Sequence, residues 1–335
     1  MSMISIGDMS QSLLLRSRAT DLKQSMAVLL AELSSGRVSD PSSRLGGDYS
    51  HLIDIDRNLT RLQGYSIAVT EAKLFASATQ SRLERLQDLT GSFSTNMLLA
   101  TTTKDKMVQA NVSQQARADL ADAMGVLNGG IAGRSLFSGV STDVVPLESD
   151  TLLMSELKIV LTGLSTASDI MQAAENWFED PAGFRTTIYR GSSQDLSSMQ
   201  VASGQHVGLS LRADEPEFRD MLLNMAIVAI ATDADLNLVA TTRDELFHLT
   251  SNRILANNDK LVLFRADLGY AESRIEEAAT RNESARTSLE YAKAALLEAD
   301  PFDTATRLES VQFQLEALYS VTVRASRLSL LAFLK

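Results

Sequence analysis

The sequence predicts a mainly α-helical chain: long coiled-coil-forming helices from both termini, with a small α+β insertion between them. Three observations predict this. The first is a seven-residue repeat from Leu261 to Leu296. One seam is Leu261, Leu268, Ile275, Asn282, Leu289 and Leu296; the other is Phe264, Ala271, Ala278, Ala285 and Ala292. Only Asn282 among them is polar, while Glu272, Arg274, Glu276, Glu277, Arg281 and Glu283 fill the space between. Such a repeat keeps one stripe facing a partner helix as both supercoil. The rod is about 54 Å long at 1.5 Å per residue. The second is composition: aromatics are 5% of the chain, and Ala, Leu and Ser abound, which suits long helices better than a bulky core. The third is the spacing of Pro41, Pro146, Pro181, Pro216 and Pro301. Helix interiors reject proline, so the long helices belong in 42–145 and 217–300.

Residues 11–34 read as an amphipathic helix, with Leu15, Ala19, Leu22, Met26, Leu29 and Leu33 at alternating spacings of four and three. Gly36 fits its C-terminal cap. Residues 37–49, rich in Ser, Gly and Asp, read as a loop. A second helix runs from Ser50 to about Ala100. Its seam is Leu52, Ile55, Leu59, Leu62, Ser66 and Val69, then, after a shift of phase, Ala72, Ala76, Thr79, Leu83, Leu86, Thr90, Phe93 and Met97. A third helix, 104–127, ends at Asn128-Gly129-Gly130. Residues 140–216 change character. They hold Trp177, a β-branched run from Thr186 to Tyr189, and a hairpin of Met199–Ala202 and His206–Leu211 around Ser203-Gly204-Gln205. Residues 217–256 return to helix. Asp300-Pro301 pairs a good N-cap with a good first helical residue, so a new helix starts there. Its seam is Leu308, Val311, Leu315, Leu318, Thr322 and Ala325. Asn282 admits two readings: a register-fixing polar residue, or a partly exposed one at a loose layer.

The same residues narrow the chemistry. A net charge of -11 disfavours nucleic acid, whose phosphates need clustered Lys and Arg. The absence of cysteine removes disulfides, thiol catalysis and Cys-based zinc sites. His51, His206 and His248 have no metal spacing. Asp233-Ala234-Asp235-Leu236-Asn237 opens like a calcium loop, but Leu238 and Asp244 stand where the loop needs Gly and Glu, so a helix-breaking turn is expected. The glycines at 129, 130 and 133 lack a following Gly-Lys-Ser/Thr. Asp180, Arg185, Asp195, His206 and Glu215 form no recognisable constellation. The expectation is no enzyme, no metal and no cofactor. The longest apolar window, 221–231, is broken by Asn224 and falls short of the ~20 residues of a membrane span, so no membrane insertion is expected. No cleavable leader is read at the start of the chain.

Four stretches carry a resemblance to the bacterial flagellin family, and within it to the hook–filament junction proteins. They are Glu32-Leu33-Ser34-Ser35-Gly36-Arg37 with Ser39-Asp40-Pro41; Gly133-Arg134-Ser135-Leu136-Phe137-Ser138-Gly139; Leu268-Gly269 with Arg274-Ile275; and Leu328-Ser329-Leu330-Leu331-Ala332-Phe333-Leu334. The single Asp before Pro41 departs from the pair often seen in the family. The resemblance implies a terminal coiled-coil domain (1–36 and 300–335), an inner helical rod (37–139 and 241–299) and an outer α+β insertion (140–240). It implies a structural subunit of the flagellum at the junction between hook and filament. Type III export, a location outside the cell and four partners follow from it: copies of itself in a ring-like helical layer, flagellin, a hook-associated protein on the hook side, and an export chaperone.

Isolated helices of this size are marginal in water, and neither terminal helix buries its seam alone. Assembly contacts are therefore expected on Leu15, Leu22, Met26, Leu29 and Leu33 at one end, and on Leu308, Val311, Leu315, Leu318, Leu330, Leu331 and Phe333 at the other. Head-to-tail contacts that do not close give helical filaments. A filament flagellin, or a cytoplasmic coiled-coil adaptor, satisfies the same helical pattern.

Overall fold

The computed structural model describes the backbone of residues 6–333, and the side chains of 10–324 except Ser43. The fold is mainly α, flagellin-like, with two small antiparallel hairpins. The chain divides into two compact units: residues 1–62 with 284–335, and residues 63–283. The expected boundaries near 36 and 300 fall inside the first unit, and the expected 140–240 insertion lies inside the second.

The first unit is built from helix α1 (Ile6–Ser35), α2 (Pro41–Leu45), the start of α3 (Ser50–Thr103), the end of α9 (Ala240–Leu296) and α10 (Pro301–Phe333). Helix α1 stops at Gly36, whose φ of 68° needs no Cβ and whose N–H reaches Glu32 O at 2.8 Å. The loop expected at 37–49 contains α2, because Asp40 accepts a hydrogen bond from Ser42 N at 2.9 Å and Pro41 opens the helix. Asp300 does the same for α10, accepting from Phe302 N at 2.9 Å and Asp303 N at 3.2 Å. Hydrogen bonds to the side chain and backbone of Ser50 hold the Asp48 carboxyl below its ordinary range at the start of α3.

The second unit carries the large core. On α3, Val69, Ala72, Ala76, Leu83, Leu86, Phe93, Met97 and Ala100 are buried at spacings of three and four. Ser66, placed on the seam by the sequence, is exposed; Tyr65 and Ala68 are half-buried in that turn instead. On α9 the repeat begins earlier than 261: Phe247, Thr250, Ile254 and Asn257 are buried ahead of Leu261, Leu268, Ile275, Ala278 and Asn282. Arg265 donates to Gln87 at 2.5 Å, and Lys73 pairs with Glu276, so the two rods run antiparallel side by side within this unit.

Helix α4 (Lys106–Leu127) turns back at Asp105, which caps Met107 N and Val108 N. A minimal hairpin of β1 (Gly130–Ile131) and β2 (Arg134–Ser135) follows, turning through Ala132 and Gly133 at φ 50° and 78°. It delivers Leu136 and Phe137 into the core. Helices α5 (Asp150–Leu161), α6 (Ala167–Glu179) and α8 (Pro216–Ile230) pack with α4. The Thr186–Tyr189 run is not a strand: α7 (Phe184–Thr187) occupies it, and only Tyr189 bridges to Leu147. Local β preference is overridden because Phe184 and Ile188, four apart, both enter the core. Trp177 stands edge-on to Phe178 and Phe184, anchoring this region.

Strands β3 (Met199–Ala202) and β4 (Gln205–Val207) form the expected hairpin, shorter on its second side and turning through Ser203-Gly204. Residues 231–239 separate α8 from α9, so 217–256 is two helices. Asp233 and Asp235 there both pair with Lys158 of α5, which fills with an ammonium the position where a calcium reading would put the ion. Asn282 is buried, and its Nδ2 donates to Val201 O at 2.8 Å. That hydrogen bond fixes α9 against β3.

Candidate assembly interface

Helices α1 and α10 pack against each other within the first unit. Each end therefore meets half of its burial demand inside one chain, which corrects the expectation that neither has anything to pack on. Leu15, Ala19, Leu22, Met26 and Leu29 are half-buried, and Leu33 is exposed. On α10, Leu308 is buried, Val311, Leu315 and Leu318 are half-buried, and Thr322 is exposed. The side chains of Leu330, Leu331 and Phe333 lie outside the described residues. Ala285 of the α9 seam is exposed, while Leu289, Ala292 and Leu296 are half-buried.

A backbone clasp joins the two turns at the base of this pair. Arg37 and Glu298 form an antiparallel bridge. Val38 N donates to Leu297 O at 3.0 Å, and Ala299 N donates to Gly36 O at 2.9 Å. Glu32 Oε1 accepts from Ser39 N at 2.7 Å, fixing the Ser34-Ser35-Gly36 turn. Lys293 reaches Asp56 at 2.7 Å beside it.

Little of this unit is dry. Among its described residues, Ile55, Ala299 and Leu308 are its only buried apolar side chains, and every described side chain of α1 keeps contact with solvent. Large apolar groups face outward instead: Phe302 is 82% exposed, Phe313 72% and Leu14 71%. Leu13, Leu30, Tyr319, Val321 and Val323 join them. Lys23 lies 5.8 Å from the Tyr319 ring centroid, a cation–π contact between α1 and α10. The sequence reading missed these outward residues because it followed the inner seam alone. The signal was present: a coiled-coil helix with nothing else to meet carries charge at its outer positions, and here Phe302, Phe313 and Val323 occupy them. Among the described residues no group of His, Cys, Asp or Glu could hold a metal ion. The arrangement can associate; it presents no assembled chemistry.

Residues 254–334, the second half of α9 through α10, match the bacterial flagellin C-terminal helical region. The chain is flagellin-like. A comparison with curated proteins returns no match. Two solved structures share the flagellin-like fold at low identity. One, assigned as a flagellar hook-associated protein from Vibrio parahaemolyticus, is 12% identical with a TM-score of 0.51, covering 77% of this chain and 98% of its own. The other, Bacillus cereus FlgL, is 12% identical with a TM-score of 0.53, covering 72% of this chain and 100% of its own. This flagellin-like chain thus shares an architecture with both over most of its length.

Proposed function

We propose that this chain is a structural subunit of the bacterial flagellum that forms the junction between hook and filament, the role of hook-associated protein 3. The carrying observation is the flagellin C-terminal match over 254–334, which falls on the helices whose outer apolar faces have no cover in the single chain. The fold shared with a hook-associated protein and with FlgL supports the junction role over that of a filament flagellin. Copies meet through the apolar residues of α1 and α10, Leu33 and the outward Phe302 and Phe313 among them. Flagellin and a hook-side hook-associated protein contact the two ends of the layer. Export uses the flagellar type III route, with a chaperone holding the C-terminal helix until assembly, and the protein resides outside the cell.

Deleting the gene and examining cells by electron microscopy tests this. The junction role gives bare hooks with flagellin shed into the medium. Loss of secreted flagellin instead assigns the chain as a filament subunit. Normal flagella, with the protein confined to the cytosol of swimming cells, overturn the proposal in favour of an adaptor.

A further inference from the structure

The net charge of this chain is not spread evenly over its two units. Residues 1–62 and 284–335 together hold 13 basic and 13 acidic side chains, a balance of zero. Residues 63–283 hold 18 basic and 29 acidic side chains, which is the whole of the -11. The neutral unit is the one with exposed Leu14, Phe302 and Phe313 and with three buried apolar side chains among its described residues. The charged unit has a large core of its own and needs no partner to complete it. Surfaces near zero net charge with exposed apolar groups associate; a strong single-sign charge holds like copies apart.

We infer that a second copy of this chain docks through the neutral 1–62 and 284–335 unit alone, and that the acidic 63–283 unit opposes this docking and sets its salt dependence. The inference rests on the assembly reading above and adds to it where like copies meet and what limits them. Two copies joined by their neutral units carry their acidic units with them, because the chain is continuous through α3 and α9. Their repulsion reaches ~30 Å at 0.01 M salt and ~8 Å at 0.15 M. Association should therefore strengthen as salt rises over this low range, before salting-out of apolar surface contributes. An interface held by ion pairs weakens over the same range.

The test is sedimentation velocity of the full chain at matched concentrations in 0.01, 0.05 and 0.15 M sodium chloride. The expected result is an association constant that rises about tenfold or more from the lowest to the highest salt. A variant neutralising Asp88→Asn, Glu179→Gln, Glu245→Gln, Asp259→Asn and Asp267→Asn, all exposed helix positions, should associate more strongly at 0.01 M and lose most of the salt response. The opposite variant, Lys104→Gln, Lys106→Gln and Arg117→Gln, should associate less at 0.01 M. Association that is flat or falls with salt overturns the inference and leaves the assembly reading standing. Absence of association at every salt, with circular dichroism showing intact helices, overturns the assembly reading and this inference with it.

Discussion

Truncating Asn282 to alanine should loosen the β3–β4 hairpin while leaving the rod folded. The Asn282 Nδ2 donates to the carbonyl of Val201, whose side chain is fully buried. Alanine removes the donor and leaves that carbonyl without it, at a cost of about 1–3 kcal/mol. A two-stranded hairpin is marginal alone, so this one depends on what α9 supplies. The other ties are Arg281 to Gln205 at 2.6 Å and Arg274 to His206 O at 3.2 Å, both from exposed side chains. At 1.4 kcal/mol per decade, opening of the hairpin should rise roughly 5- to 150-fold. Hydrogen exchange by mass spectrometry, on the full chain, reads this at the amides of 199–207. Global denaturation is a poorer assay, because a chain of two units does not unfold in one step. Asn282→Leu should give the same local loss, although leucine suits an apolar seam better. Exchange in 199–207 that stays within about twofold of the parent in both variants would refute the assignment of Asn282 as the anchor.

Other outcomes follow from single contacts. A methyl group at Gly183 would sit 2.0 Å from Trp177 O, so Gly183→Ala should destabilise the aromatic cluster by about 1–3 kcal/mol; the fluorescence of Trp177, the only tryptophan, should report a lower urea midpoint, and an unchanged one would contradict the packing. Burial raises the Asp119 carboxyl above its ordinary value, outweighing the Gln115 hydrogen bond. A raised carboxylate penalises the folded state once pH passes its folded value, so Asp119→Asn should stabilise at pH 7 and lose that advantage as pH falls through the folded value to the ordinary one. A urea midpoint equal in both proteins at pH 7 would count against it. Limited proteolysis of dilute monomer should trim roughly the first and last 35 residues before cutting elsewhere, because α1 has no fully buried side chain among those described; even cutting across the chain would contradict it.

Much of this architecture was written in the period of the apolar residues. The 261–296 seam, the Asp300-Pro301 start, the Gly36 stop and the 199–207 hairpin all depend on local chemistry, and local chemistry is legible. The start of α9 was hidden because Thr250 and Asn257 take seam positions, and polar residues there break an apolar pattern without breaking the helix. Helix α2 was overlooked although Asp40-Pro41 repeats the Asp-Pro signal of α10. The 184–189 run deceived because β-branched residues state a preference that Phe184 and Ile188 outvote by burial. At the interface, inner seam positions could be named from spacing. The outward Phe302 and Phe313 could be recognised only once the inner face was known to be taken by α1.

The bridge between Arg37 and Glu298 has a consequence for the order in which the polypeptide organises itself. Its two strands of backbone are some 260 residues apart along the chain, and closing so large a circuit from a random coil costs about 5 kcal/mol in entropy before any gain. Once the Lys73–Glu276 pair has formed, the open circuit shrinks to the short lengths on either side. The middle of the molecule should consequently settle first, and the two extremities should find each other last.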